Sequence, residues 1–288
     1  MEQPSFTVQP SARLDWFSRG CCRYLEHPWL VAASEERREA ALRQALADSL
    51  HATTVLETRV VIPAVTDIAF GRLLEGDEPA RLQAVRLLSE EGVHAVHAAN
   101  ALFRLGLPSN LGSTPAFLGV FEGLAPSVSS LARWLFVTVT ETCLSANLEL
   151  VSLDERVRPE VRALVAAHAA DERWHAHYFG KLFARRWVQL NAAERALSCE
   201  LLPVVAAAYL LPDEAAQRRQ LSAAGFNAQE ASEVMASARA PRAQVARALA
   251  PTVPWLLLAA DRGGASTASL EQVVALFESG ALHQPEGA

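Results

Sequence analysis

Lysine is almost missing from this 288-residue chain: Lys181 stands alone, and arginine carries the rest of the positive charge. Acidic residues outnumber basic ones, 32 to 26, for a formal net charge of −6. No basic stripe of the kind that grips a phosphate backbone is present, so nucleic acid is not an expected partner. Tyrosine is scarce as well. Tyr24, Tyr178 and Tyr209 are the whole set, which weighs against a sheet protein and offers few places to store a tyrosyl radical. The four cysteines, Cys21, Cys22, Cys143 and Cys199, form no C-x-x-C pair, and the adjacent Cys21 and Cys22 would bond each other only under strain. A reduced, cytoplasmic protein is the expectation. The first ten residues are polar and lack an apolar signal-peptide core. The apolar run over residues 201–211 is short and interrupted by Pro203, so no membrane span is expected.

What the chain has in quantity is alanine and leucine, strong helix formers, with 51% hydrophobic residues overall. The expected fold is an all-α, ferritin-like helical bundle with additional C-terminal helices. Ser34-Glu-Glu opens a long helix running to about residue 74 and kinked by Pro63. A second helix follows the turn at residues 76–79 and ends at Gly106, with Pro108 beyond. Residues 106–126 make a long connection with a short helix over 116–122. The third and fourth helices are expected over 127–153 and 159–188. The metal-binding four-helix core spans about 34–188, and shorter helices are expected at 192–211, 213–224, 228–239, 242–260 and 270–278. A short helix over 14–30 covers part of the core. No repeat or low-complexity linker divides the chain, so a single domain over 1–288 is expected.

Within the fourth helix lies His168-Ala-Ala-Asp171-Glu172-Arg-Trp174-His175, an H-x-x-x-E-x-x-H pattern. At about 100° per residue, His168, Glu172 and His175 fall within an arc of about 60° over two turns. Burying two imidazoles and a carboxylate on one stripe without a cation is costly, which makes a metal the first hypothesis. The second helix carries Glu91-x-x-His94, with Glu90 and His97 as nearby alternatives. The first and third helices each carry a glutamate isolated in apolar sequence, Glu57 and Glu141. One Glu from each of two helices and E-x-x-H from each of the other two is the carboxylate di-metal pattern. Four anionic carboxylates offset the repulsion between two cations, and imidazoles complete the coordination while leaving positions open for O₂. His168 exceeds the minimal pattern and is a candidate third histidine ligand. Asp171 is either a partner that orients a ligand histidine or half of a surface ion pair.

With Glu57, Glu91-x-x-His94, Glu141 and His168-x-x-x-Glu172-x-x-His175 in this order, the chain resembles the p-aminobenzoate N-oxygenase family of di-iron arylamine oxygenases. The resemblance covers residues 50–180. It implies two iron ions, cycling between Fe²⁺ and Fe³⁺, held by Glu57, Glu91, His94, Glu141, His168, Glu172 and His175. It implies an O₂-dependent monooxygenase that takes a small aryl or amino-acid-derived amine to hydroxylamine, nitroso or nitro in a biosynthetic pathway, with electrons from an external donor protein or reductant. Asn147, six residues beyond Glu141, is a candidate substrate-pocket residue. Arg133, Arg242 and Arg247 are candidates to meet a substrate carboxylate, and a homodimer is one candidate assembly. A di-iron oxidase or hydroxylase acting on carbon and a ferritin-like iron-binding protein without oxygenation are the alternatives. Manganese accepts the same donors as iron.

Overall fold

The structure, a computed structural model, describes residues 14–71, 77–108, 113–210 and 212–238, without the side chains of residues 145–147 and 203. The helices expected at 242–260 and 270–278 lie outside the described residues. Among the described residues there are helices and turns, one isolated bridge between Asp15 and Val157, and no strand.

The expected helix over 14–30 does not form as one piece. Two 3-10 turns, Arg19–Cys21 and Arg23–Glu26, precede a short helix α1 (Pro28–Val31). His27 is extended (ψ 137°), as a residue before proline must be, and this breaks the helix there. Its Nδ1 accepts the Trp29 N–H at 3.2 Å and caps α1.

Ser34 caps α2 (Glu35–Leu56), accepting the Arg37 N–H, with Glu35 and Glu36 in the first turn. The chain then widens into a π-helical turn, Glu57–Val61, before α3 (Ile62–Ala69). In that turn the Ile62 N–H bonds the Glu57 carbonyl. Pro63 explains the change. It has no N–H to give the carbonyl four residues back, and its ring crowds that carbonyl, so a regular α-turn is disfavoured there. A kink was expected at Pro63; the distortion falls one turn earlier, on the turn that carries Glu57. α3 ends at Ala69, short of the expected 74. Gly71, at φ 75°, supplies the left-handed conformation that terminates it.

Asp77 caps α4 (Glu78–Arg104) through the Ala80 N–H at 3.1 Å, and Gly106 (φ 58°) closes it. The connection to α5 carries a 3-10 segment, Ala116–Phe121. α5 (Pro126–Ser152) contains the β-branched stretch Val137-Thr-Val-Thr-Glu-Thr. It stays helical within the buried core, and Thr138 and Thr142 satisfy their hydroxyls on carbonyls four residues back, at 2.9 and 2.7 Å. α6 (Pro159–Gln189) starts with proline in its first turn. α7 (Ala192–Leu210), α8 (Glu214–Ala223) and α9 (Ala228–Ser237) follow, the last with an Asn227–Glu230 capping box.

Two apolar clusters define the packing. The first half of α2 lies in one cluster, while its last turn and α3 lie in the other. α4 crosses in the opposite order, so α2–α3 and α4 run antiparallel. α5 and α6 are antiparallel by the same criterion. Two helical hairpins joined by a long connection are thus packed together, with α4 touching α6 and α3 touching α5. All four long helices pass from one cluster to the other near the middle of the bundle, and the polar seam there holds the site. α7 lies along α5, and α8 packs on α2. Over Ala192–Ala223 the chain is long and apolar enough to cross a membrane on length and composition alone, a test that a core helix also passes. Val205, Leu202 and Ala206 of this stretch are buried against the bundle.

Candidate metal centre

The seam gathers side chains from four helical segments. Glu57 comes from the π-turn, Glu91 and His94 from α4, Glu141 from α5, and His168, Glu172 and His175 from α6. Glu57, Glu91, Glu141, Glu172 and His175 are each 0% exposed, His94 is buried, and His168 is half-buried. Their donor atoms fall into three overlapping groups. Glu91, His94, Glu172 and His175 form one; Glu57, His94 and His168 another; Glu57, Glu91 and Glu141 the third. Within each group the atoms lie within 4.8 Å of one another.

His175 and His94 each have an outward partner and an inward face. The Nε2 of His175 donates to Glu90 Oε2 at 3.0 Å. Its Nδ1 lies 3.1 Å from Glu91 Oε1, 3.4 Å from Glu172 Oε1 and 3.5 Å from Glu141 Oε2. His94 repeats the arrangement: Nε2 meets Asp171 Oδ2 at 3.2 Å, and Nδ1 lies 3.0 Å from Glu91 Oε2. An ionised carboxylate only accepts, so with a cation on Nδ1 each outer partner would hold the remaining proton on Nε2. His168 enters from one turn before Glu172, with Nε2 2.8 Å from Glu172 Oε1 and 3.9 Å from Glu57 Oε1. Its ring centroid is 4.0 Å from that of His94.

Whether a cation suits this cluster can be tested on its own atoms. Both oxygens of Glu57, both of Glu141, Oε1 of Glu91, Oε2 of Glu172 and Nδ1 of His175 are buried without a hydrogen-bond partner. Buried polar atoms are seldom left so, and here they converge on one place. Burial and the neighbouring carboxylates, Glu91 foremost, push Glu57 well above the usual carboxylate range. Burial, then Glu172 and Glu91, does the same to Glu141. Burial would raise Glu91 too, but the imidazoles of His175 and His94 bring it down to about 2. Burial opposes charge on His175, yet Glu141, Glu172 and Glu91 outweigh it and raise that histidine. His168 is lowered to about 3 by burial and the proximity of His94. A protein-only cluster therefore holds carboxylates that cannot all ionise. Two divalent cations would balance the four glutamates and remove the conflict. The residues fit a metal pair.

A family profile described as "P-aminobenzoate N-oxygenase AurF" matches residues 2–257 of the chain. The chain belongs to this family. A relative named 4-aminobenzoate N-oxygenase, from Streptomyces thioluteus, is 22% identical over 218 residues, which is 72% of this chain and 65% of that protein. The chain thus spans less than two thirds of that relative's length. In this AurF-family chain all seven residues singled out from the sequence as candidate ligands meet in the seam.

The side chain of Asn147, on α5, lies outside the described residues, as do Arg242 and Arg247. Arg133, about two turns before Glu141, sets its guanidinium 5.8 Å from the Phe121 ring centroid. Its Nε is buried without a partner. Phe117, Phe121 and Tyr209 surround Phe136 nearby. His97 is half-buried, and His177 lines an outer cleft between α4 and α6. Glu90, an alternative ligand by sequence, faces His175 from outside. Sequence reasoning missed that role, and missed Trp174, whose indole N–H donates to the same Glu90 oxygen at 3.0 Å. Adjacent acids at 90 and 91 were the available signal: consecutive helical residues face about 100° apart, so one points in and the other out.

Proposed function

We propose that this chain is an O₂-dependent di-iron N-oxygenase that oxidises an arylamine at nitrogen. The observation carrying this reading is the set of unpartnered, fully buried carboxylate oxygens facing Nδ1 of His175 inside the seam, joined to membership of the AurF family. Glu57, Glu91, Glu141 and Glu172 would hold two irons with His94, His168 and His175. Bound there, the iron pair supplies the redox chemistry that activates O₂ for transfer to the amine nitrogen.

The protein's own part is electrostatic and positional. Four glutamates match the charge of the ferrous pair. Glu90 and Asp171 fix the ring orientation and tautomer of His175 and His94, so that Nδ1 is available in each. Apolar clusters on both sides of the seam exclude water, which strengthens the electrostatic interactions inside. Arg133, beside Phe121 and Phe136, is the candidate for an acidic substituent on the substrate, with the aromatic rings flanking the arene. A 4-aminobenzoate is the substrate type in the relative's name, and aminobenzoates head the panel to be tried. An external reductant would return bound irons to the ferrous state, and a cytoplasmic location suits the chain's free thiols. The whole described chain is read as one catalytic domain.

The test is turnover. Iron-loaded protein, reduced and given O₂ with a panel of arylamines, yields hydroxylamine, nitroso or nitro products with ¹⁸O from ¹⁸O₂ on nitrogen. Oxygen on carbon, or iron uptake with no product from any amine, would contradict the reading.

A further inference from the structure

Oxidised iron at the seam must be re-reduced, yet the seam is closed off by two apolar clusters. A connected path that includes an aromatic ring leaves it through His175. His175, whose Nδ1 faces the seam, donates through Nε2 to Glu90 Oε2 at 3.0 Å. The same oxygen accepts the indole N–H of Trp174 at 3.0 Å. The Trp174 and His175 rings are also in direct edge contact, with centroids 4.6 Å apart. Trp174 lines a cleft on the outside of the bundle, between α4 and α6, with Gln83, His177, Tyr178, Lys181 and Arg185. A half-buried indole thus touches solvent on one side and the partner of a seam histidine on the other.

The path is braced. Arg86 donates to the other oxygen of Glu90 at 2.8 Å and lies over the Trp174 ring, 4.6 Å from its centroid. Tyr178 packs against Trp174 and is pinned by its hydroxyl to the Ala80 carbonyl at 2.9 Å. A carboxylate serving only to orient His175 needs none of this. Here it is shared with an aromatic ring and locked from two sides.

We infer that Trp174, Glu90 and His175 form the route by which electrons enter the metal centre, and that an acidic one-electron carrier protein delivers them at the cleft beside Trp174. The inference rests on the di-iron reading above. No bond forms or breaks along the route. Two carrier molecules are each oxidised by one electron, and each electron takes one iron from ferric to ferrous. The carrier's chemistry follows from the cleft. At about 200 Å³ it is smaller than the 300–1,000 Å³ usual for bound small molecules, which favours surface docking over capture of a free redox cofactor. Lys181, Arg86 and Arg185 gather around it in a chain of net charge −6. Lys181 has no carboxylate partner among the described residues, and Arg86 is 65% exposed. Arg86 and Arg185 are paired with Glu90 and Asp77, which leaves Lys181 as the cation open to an acidic partner. Electrostatic complementarity of this kind speeds encounter with an acidic partner.

The experiment follows reduction of the oxidised, iron-loaded protein under anaerobic conditions by loss of its ferric absorbance. Two reductants are used: a reduced acidic [2Fe–2S] ferredoxin and reduced methyl viologen, which is small and cationic. Iron content is measured alongside. Trp174→Phe should keep wild-type iron and be reduced by ferredoxin at least about tenfold more slowly, the scale seen for outer-sphere changes around metals. Lys181→Glu should slow ferredoxin several-fold, with a weakened salt dependence, and make viologen no slower. Wild-type ferredoxin rates in iron-replete Trp174→Phe overturn the route. If Trp174→Phe loses its iron, Lys181→Glu decides alone, and an unchanged ferredoxin rate overturns the proposal. A wild-type chain that holds no iron removes the di-iron reading itself, an outcome distinct from either variant result.

Discussion

His168 and Glu172 sit one turn apart on α6 in hydrogen-bond contact, Nε2 to Oε1 at 2.8 Å. This contact turns the surplus histidine toward the seam, within 3.9 Å of Glu57 on the facing helix. We propose it as a member of the donor set on this contact. Replacing it tests that assignment. His168→Ala should fold and drop from about two irons per chain toward about one, as one group of donors loses a member. Metal analysis of the purified variant checks this, and a full complement of iron in the variant would remove His168 from the site.

Glu90 and Asp171 act through His175 and His94. Glu90→Ala and Asp171→Ala should each weaken metal binding by about 10- to 100-fold, measured by competition with a chelator. The larger loss is expected for Glu90, which is 23% exposed against 49% for Asp171 and is held by Arg86 as well. Equal, negligible losses would make both contacts incidental.

Metal-free protein should lose stability as pH rises. Burial and the adjoining carboxylates raise Glu57 and Glu141 in the fold, so the native state binds more protons than the unfolded chain. The resulting stabilisation is complete below the unfolded glutamate pKa of about 4.3 and is lost as pH climbs toward the raised values. Glu57→Gln should flatten this slope in urea titrations of metal-free protein while reducing metal binding. A slope unchanged in the variant would show that Glu57 ionises freely in the native state.

Packing away from the seam should contribute independently of metal. Phe183 is fully buried, stacked on Trp134 at 5.2 Å and on Trp187 at 5.3 Å. Phe183→Ala should cost about 3–5 kcal/mol, seen as a similar fall in denaturation midpoint with and without iron. A loss confined to the iron-loaded form would tie this cluster to the site.

Much of the site was legible because a helix converts spacing into direction. E-x-x-H on α4 and H-x-x-x-E-x-x-H on α6 each place their members on one face whatever the tertiary packing. The isolated acids Glu57 and Glu141 were legible for a different reason: a carboxylate amid apolar residues must be buried with a partner or lie on an exception to the pattern. Helix limits followed where caps were explicit, as at Ser34, Asp77 and Gly106. His27-Pro28 is a legible turn signal for the break before α1, while the 3-10 turns at Arg19–Cys21 and Arg23–Glu26 leave no such mark. The π-turn was not legible as such, because Pro63 announces a distortion without fixing which turn absorbs it. Glu90 and Trp174 were missed because their role depends on α4 and α6 lying side by side, 84 residues apart in sequence. Local spacing carries no trace of that pairing.

The central claim is that the seam binds two irons through these seven side chains. It is tested most directly by a crystal of the protein loaded anaerobically with ferrous iron, read by anomalous scattering at the iron edge. The account predicts two iron peaks per chain, in bonding contact with Glu57, Glu91, His94, Glu141, His168, Glu172 and His175 and with none from Glu90 or Asp171. No peak in the seam of a protein incubated with excess iron, or iron bound only elsewhere, would contradict it.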